Sequence, residues 1–258
     1  MNIFELSKKV IIITGAHGFL GVGYVRALRD AGAIVYAWDR IEPKSVEKGV
    51  QYQTVDITAE PDVKEAVAEI LKAEGRIDGL VNNAAMNPAV GSDDAKDQFA
   101  PYEDYSIELF RKEIDANLTG TMICTKHVAP SMIERKSGSI INIASEVSVI
   151  AHDHRVYAAE KRFKSPAYTA SKTAILGLTR QWAARLGEHA VRVNALSIGG
   201  VERAGMPADF GARFGMTTML GRMARPGEYE GTLIYLLSDA SSFMTGANLI
   251  IDGGKSAW

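Results

Sequence analysis

The sequence predicts a single α/β domain in which helices cover both faces of a parallel sheet of about seven strands. Short, continuous apolar runs are typical of strands that are buried on both faces. These runs alternate with segments whose apolar residues recur at helical spacing, which is the order expected for a doubly wound sheet. The spacing is clearest for Ile175, Leu178, Trp182 and Leu186. The seven apolar runs span 10–14, 33–38, 50–55, 77–83, 139–144, 191–198 and 248–252.

We expect residues 1–258 to form one domain, because no low-complexity linker or internal repeat divides them. Regular patterning is weakest in the segments 86–101, 146–165 and 199–226. We expect these three segments to be loops that contact the substrate.

Charge and composition exclude several classes of partner. The net charge is −2 and there is no basic run, so neither nucleic acid nor an anionic membrane surface is expected as a partner. No apolar run approaches the roughly 18 residues that a membrane span needs, and the N-terminus has no signal-peptide pattern. Cys124 is the single cysteine, so an intramolecular disulfide is impossible. These features predict a cytoplasmic protein that acts on a small molecule.

A glycine-rich turn follows the first predicted strand and opens a helix, as in Rossmann-type dinucleotide-binding domains. Gly15, Gly18 and Gly21 have the spacing Gly-x-x-Gly-x-x-Gly. Glycine lets the backbone turn tightly and lets a pyrophosphate approach the helix N-terminus. Asp39 ends the second strand, where a carboxylate can bind ribose hydroxyls. Arg40 could hold a 2′-phosphate, but Asp39 would repel that phosphate, so the sequence favours NAD over NADP.

The pattern Tyr-x-x-x-Lys occurs twice, at Tyr157/Lys161 and at Tyr168/Lys172. A tyrosine can move a substrate proton if a nearby cation lowers its pKa of about 10. A lysine four residues later lies on the same helix face and can supply that charge.

Local sequence favours the second pair. Ser165 and Pro166 are a typical N-cap and first helical residue. A helix that begins there carries Tyr168 in its first turn, whereas a helix running on from Tyr157 would have proline in its interior. We therefore predict Tyr168 and Lys172 as the catalytic pair.

The whole chain resembles the short-chain dehydrogenase/reductase family. The resemblance is carried by "NNAA" at 82–85, "DANLTG" around Asn117, "GSIINIAS" ending at Ser145, "YTASK", "RVNALSIGG" and "SSFMTGANLIIDGG". It implies an NAD(P)-dependent oxidoreductase in which Ser145 binds the substrate oxygen, Tyr168 exchanges its proton and Lys172 holds the ribose. Asn117 would organise a water-linked proton relay to that lysine.

The same resemblance, together with the glycine turn, implies a set of cofactor-binding residues and the homotetramer usual in the family. The set is Gly15, His17, Gly18, Phe19, Leu20, Gly21, Asp39, Arg40, Asp56, Ile57, Asn83, Ala84, Ala85, Tyr168, Lys172, Ile198, Gly199 and Val201.

One spacing departs from the family. Ser145 precedes Tyr157 by 12 residues, the usual distance, but precedes Tyr168 by 23. We interpret this as an insertion of roughly ten residues within 146–165, because a longer loop costs little closure entropy and a proline inside a helix costs far more.

A narrower resemblance, to reductases of bacterial surface-sugar and flagellin-glycan synthesis, implies a carbohydrate or nucleotide-sugar substrate. The glycine spacing keeps open a sugar-nucleotide epimerase or dehydratase with bound NAD, and a non-enzymatic dinucleotide-sensing protein is the other alternative. His152 and His154 flank Asp153, but the sequence offers no further cluster of ligands, so we predict no metal site.

Overall fold

The computed structural model describes residues 2–43, 45–87, 97–160 and 163–258. It contains a seven-stranded parallel sheet in the order β3-β2-β1-β4-β5-β6-β7. Each strand lies where an apolar run predicted it, with ends shifted by two residues at most, so the predicted fold class is confirmed. The strands are β1 Val10–Thr14, β2 Ile34–Asp39, β3 Val50–Thr54, β4 Gly79–Asn82, β5 Gly138–Ser145, β6 Val191–Ile198 and β7 Asn248–Ile251.

Seven α-helices are found in the described ranges. They are α1 Phe19–Asp30, α2 Glu60–Glu74, α3 Ile107–Ile114, α4 Gly120–Arg135, α5 Pro166–Leu186, α6 Ala208–Gly215 and α7 Glu230–Leu237. A five-residue π-helix, Asp115–Thr119, joins α3 to α4.

Two hydrophobic layers lie on opposite faces of the sheet. Side chains alternate between the faces of a strand: Val10 and Ile12 of β1 join the layer formed with α2, α4 and α5, whereas Ile11 and Ile13 join the layer formed with α1 and α7. The sheet is therefore covered on both sides, and this explains why its strands are continuously apolar in sequence.

The strand order reverses between β1 and β4, which are neighbours in the sheet. In open α/β sheets a ligand crevice forms at such a reversal, outside the carboxyl ends of the strands. The glycine turn, Asp39 and Ser145 all lie at carboxyl ends, so the topology places them at one edge of the sheet.

The three predicted loop segments differ in structure. The segment 199–226 contains helix α6 and a parallel bridge between Val201 and Ala224, so it is not a continuous loop. The segment 146–165 contains two short 3-10 turns, Glu146–Ser148 and His154–Glu160. Of 86–101, residues 88–96 lie outside the described residues.

Helix α6 was missed because Gly211 and Gly215 weaken its helical pattern. Tertiary contacts outweigh that weakness: Phe210 and Phe214 lie one turn apart and pack against Val156 and Tyr157.

Within the described parts of the chain, no helix has both the length and the apolar character that a membrane span requires.

Candidate active site

The glycine turn leaves no room for a side chain at two of its three positions. Gly15 has φ +65°, and a Cβ there would lie 2.7 Å from the Cα of Ala84. A Cβ on Gly21 would lie 2.1 Å from the carbonyl oxygen of Gly15. Helix α1 begins directly after Gly18, which has no side chain to bond the first N–H groups of the helix. The residues present therefore fit a pyrophosphate at this helix N-terminus.

Thr14 and Asn83 fasten the end of β4 to the glycine turn. The Thr14 hydroxyl oxygen accepts hydrogen bonds from the backbone N–H groups of Asn83, at 3.1 Å, and Ala84, at 3.0 Å. The Asn83 amide donates to the carbonyl oxygens of Thr14 and Gly15 at 3.0 and 3.1 Å. The polar groups of Asn83 thus shape the crevice wall, which the sequence did not reveal.

Asp39 ends β2 beside the glycine turn, as predicted. Its carboxylate accepts hydrogen bonds from the backbone N–H of His17 at 3.0 Å and of Ile41 at 3.4 Å. Asp56, after β3, accepts bonds from the hydroxyl and N–H of Thr58, and these bonds, with a smaller contribution from Arg40, lower its pKa. This end of the crevice therefore combines two carboxylates with one guanidinium.

All predicted cofactor residues line one crevice of about 720 Å³, which also contains Ser145, Tyr168 and Lys172. The tertiary structure thus brings together residues that lie between positions 15 and 201 of the chain. Asn117 does not line this crevice; it is fully buried behind it.

Tyr168 lies in the first turn of α5, because the helix begins where the sequence predicted. The Ser165 hydroxyl oxygen accepts a hydrogen bond from the Tyr168 N–H at 3.1 Å, and Pro166 is the first helical residue. Ser145 ends β5, and its hydroxyl lies near that of Tyr168.

The pKa of Tyr168 is raised, contrary to the expected effect of Lys172. Burial raises it most, the negative charge of Glu146 adds to this, and the nearby Ser145 hydroxyl acts in the opposite direction. The Lys172 ammonium lies 5.8 Å from the Tyr168 ring centroid and donates a hydrogen bond to the Ile143 carbonyl at 2.6 Å. Burial also lowers the pKa of Lys172, to about 8.

Asn117 lies in the π-helix between α3 and α4, and such helices are frequent at functional sites. Its side-chain Oδ1 accepts a hydrogen bond from the Met86 N–H at 2.7 Å, and its side-chain Nδ2 donates to the Met86 carbonyl oxygen at 3.3 Å and to Ser171 Oγ at 3.2 Å. In this geometry Asn117 positions the chain after β4 against α5. Its part in a proton relay stays a prediction.

Tyr157 lies in the wall of the crevice and not on α5. It packs edge-on against Phe210, with ring centroids 5.3 Å apart, and against His152 at 5.8 Å. It is 6% exposed and belongs to an apolar cluster with Phe99 and Val156. Tyr157, the tyrosine of the other Tyr-x-x-x-Lys pair, thus packs in the crevice wall. Its partner in that pattern, Lys161, lies outside the described residues.

His152 belongs to the same wall, and its ring centroid lies 6.4 Å from that of His154. Across the described ranges, no group of three or more His, Cys, Asp or Glu side chains is arranged to hold a metal ion.

Sequence reasoning missed a buried charged group next to Ser145. Glu146 accepts a hydrogen bond from Ser145 Oγ at 2.9 Å and lies 3.5 Å from the Lys255 ammonium. Lys164 is also buried, with its ammonium 4.6 Å from the Tyr168 ring centroid. The position of Glu146 directly after Ser145 was a usable signal, but nothing in the sequence places the two lysines beside it.

Known proteins resemble this chain over nearly its whole length. A family profile described as "Enoyl-(Acyl carrier protein) reductase" matches residues 15–256. The 2,5-dichloro-2,5-cyclohexadiene-1,4-diol dehydrogenase of Sphingobium indicum is 37% identical over 98% of this chain and 99% of its own length.

Two solved structures have the same fold. A short-chain dehydrogenase from Leptospira borgpetersenii with bound NAD+ superposes with a TM-score of 0.88 at 28% identity, covering 99% of this chain and 96% of that one. A gluconate 5-dehydrogenase from Burkholderia cenocepacia in complex with NADP and tartrate gives a TM-score of 0.86 at 27% identity, covering 100% and 98%. The profile match and the relative extend over nearly the whole chain, and the chain therefore belongs to the short-chain dehydrogenase/reductase family of enzymes.

Proposed function

We propose that this enzyme uses NAD to interconvert a secondary hydroxyl and a carbonyl group on a small ring or sugar-like substrate. The observation that carries the proposal is the position of the Ser145 and Tyr168 hydroxyls in the crevice that contains the glycine turn. The relative named for a cyclic diol and the structure named for gluconate support a polyhydroxylated substrate.

The chemistry follows from the two hydroxyls. A nicotinamide bound in the crevice would accept hydride from the substrate carbon or return it. In its ionised form, Tyr168 takes the proton of the substrate hydroxyl during oxidation; in its neutral form, it gives a proton to the carbonyl oxygen during reduction, while Ser145 holds that oxygen. Ser145 donates to Glu146 in this structure, so its hydroxyl must turn from Glu146 toward the substrate oxygen.

Preference for NAD over NADP is the finer part of the proposal. It is supported by the Asp39 carboxylate at the end of β2, because a carboxylate there repels a 2′-phosphate. We further propose a carbohydrate or nucleotide-sugar substrate of bacterial surface-glycan synthesis, action in the cytoplasm, and a homotetramer. The resemblance of the sequence motifs supports these, and light scattering of the purified protein tests the tetramer.

The deciding experiment compares Tyr168→Phe with Tyr157→Phe. Sugars, sugar acids, nucleotide sugars and cyclic diols are first screened with NAD and NADP by the absorbance of the reduced cofactor. On any active substrate, Tyr168→Phe should reduce kcat by roughly 100-fold or more, because it removes the acid–base group. Tyr157→Phe should leave kcat nearly unchanged, since Tyr157 belongs to the crevice wall.

Circular dichroism and NAD titration would show that both variants fold and bind the cofactor. An active Tyr168→Phe enzyme beside an inactive Tyr157→Phe enzyme would contradict the proposal and would make Tyr157 the acid–base group.

A further inference from the structure

The substrate end of the crevice contains a buried ammonium group outside the predicted catalytic set. Lys164 is 6% exposed, its Nζ lies 4.6 Å above the Tyr168 ring, and it donates a hydrogen bond to the side-chain oxygen of Asn87. A buried cation is costly unless it is paired or solvated. Consistent with that cost, burial lowers the pKa of Lys164 to about 8.

The nearby carboxylates have closer partners than Lys164. The Glu146 carboxylate accepts a hydrogen bond from Ser145 and lies 3.5 Å from the Lys255 ammonium. Glu113 accepts bonds from Tyr105 at 2.6 Å, from Gln98 at 2.8 Å and from Ser165. Among the residues that the structure describes, Lys164 forms no ion pair. Its charge therefore remains available to a ligand of opposite sign.

Two further donors line the same crevice. Arg203 Nε and His152 Nε2 are buried without a hydrogen-bond partner in the described part of the chain, and both residues line the crevice. Burial and the charges of Lys164 and Lys255 lower the pKa of His152 to about 2. His152 is thus neutral at physiological pH and has one ring N–H to donate. Buried polar atoms normally have partners, so these two nitrogens indicate a ligand group.

We propose that Lys164, Arg203 and His152 bind a carboxylate on the substrate, so that the enzyme acts on a hydroxy acid or keto acid. This inference rests on the proposed function and narrows its substrate class to ring or sugar acids that bear a carboxylate near the reacting hydroxyl. Lys164 supplies the charge, and Arg203 and His152 supply the directed hydrogen bonds.

A carboxylate fits this wall better than a phosphate dianion. Tyr157, Phe210 and Phe214 are apolar residues of the crevice lining. Moving a phosphate dianion from water to a position beside them costs more desolvation free energy than moving a carboxylate, which carries one negative charge. Glu146 also lies in the pocket and repels excess negative charge.

The test uses matched acids and amides, which differ in charge but hardly in shape. The probes are 4-hydroxycyclohexanecarboxylate and D-glucuronate, each beside its carboxamide. For the unmodified enzyme, kcat/KM should be about tenfold or more higher for the acid, as expected for loss of a charge-assisted hydrogen bond. Lys164→Met should remove most of this preference, mainly through a higher KM for the acid.

Arg155→Met is the matched control. Arg155 lies in the same inserted segment, but its side chain is 92% exposed and its guanidinium binds Asp153. This variant should keep the preference for the acid. Arg203→Met provides a second measurement if Lys164→Met fails to fold, and it should also reduce the preference.

Calorimetric titration of the same acids and amides into the NAD-saturated enzyme separates this inference from the proposed function. Acid binding that Lys164→Met weakens, without turnover by NAD or NADP, would support the carboxylate site and overturn the proposed function. Turnover with amides as good as the acids would overturn the carboxylate site and leave the proposed function in place. No binding of either acid, in an enzyme that oxidises neutral alcohols, would also overturn the carboxylate site.

Discussion

At the scale of single residues, Glu146 acts electrostatically on Ser145 and Tyr168. Its carboxylate accepts a hydrogen bond from the Ser145 hydroxyl, and its negative charge raises the pKa of Tyr168. Lys255 faces the same carboxylate at 3.5 Å and lies 4.0 Å from the Phe214 ring. The C-terminal turn and helix α6 are thereby connected to the reacting groups.

Glu146→Gln should lower the pKa of Tyr168, because it removes the negative charge that raises it. The ionisation that controls kcat/KM should therefore move to lower pH, which a pH–rate profile measures. Glu188→Gln is the control: this carboxylate is 70% exposed, beyond the far end of α5, and its removal should not move the profile. A move to higher pH in Glu146→Gln would show that Tyr168 is not the titrating group.

Asp39→Ala should weaken NAD binding by about tenfold, the effect of one lost hydrogen bond to a charged group. Binding of NADP should not weaken, because the carboxylate that repels the 2′-phosphate is gone. Calorimetric titration with both cofactors measures this, with Glu42→Ala as the neighbouring control, since Glu42 bonds only Thr54 among the residues described here. Tighter binding of NADP than of NAD by the unmodified enzyme would contradict this prediction and would indicate that Arg40 binds the 2′-phosphate.

At the scale of elements, the start of α5 places Tyr168, and a buried network fixes that start. The Ser165 hydroxyl caps the helix and donates to Glu113 of α3, which also accepts from Tyr105. Residues of the segment 146–165, before this cap, form the crevice wall with α6 through Val156 and Tyr157. The length of this segment accounts for the long distance between Ser145 and Tyr168, and Lys164 lies at its end.

Ser165→Ala should lower the free energy of unfolding by about 1–2 kcal/mol, because it removes an N-cap and one donor to a buried carboxylate. It should also lower kcat, since Tyr168 is the residue that the cap positions. Ser106→Ala is the matched control: Ser106 caps α3 at 3.3 Å but is exposed, so it should cost less stability and leave kcat unchanged. Urea unfolding and kinetics measure both effects. Equal losses of unfolding free energy in the two variants would contradict the prediction, because the hydrogen bond from Ser165 to Glu113 would then contribute nothing beyond the helix cap.

At the scale of the whole molecule, burial of two lysines makes stability depend on pH. The pKa values of Lys164 and Lys172 fall from 10.5 to about 8 on folding. Between pH 8 and 10.5 the unfolded chain therefore binds more protons than the folded one, so these lysines make the free energy of unfolding rise with pH.

Lys164→Met should remove its share of this rise. The free energy of unfolding of the unmodified enzyme, minus that of the variant, should increase from pH 8 to pH 10 in urea titrations. Arg155→Met is the control, because an arginine stays charged over this range. If this difference in unfolding free energy does not change between pH 8 and 10, the ammonium of Lys164 is not desolvated in the folded enzyme.

The sequence by itself determined the seven strands, the glycine turn and the start of α5 at Ser165, and it predicts Tyr168 rather than Tyr157 as the acid–base group. These features depend on local periodicity, glycine and proline conformation and helix capping, which neighbouring residues specify. Only the tertiary structure decided helix α6, the contacts of Asn117 and the pairing of Glu146 with Lys255. It also reversed the expected direction of the pKa of Tyr168. Packing and desolvation depend on which distant segments meet, and no local pattern contains that information.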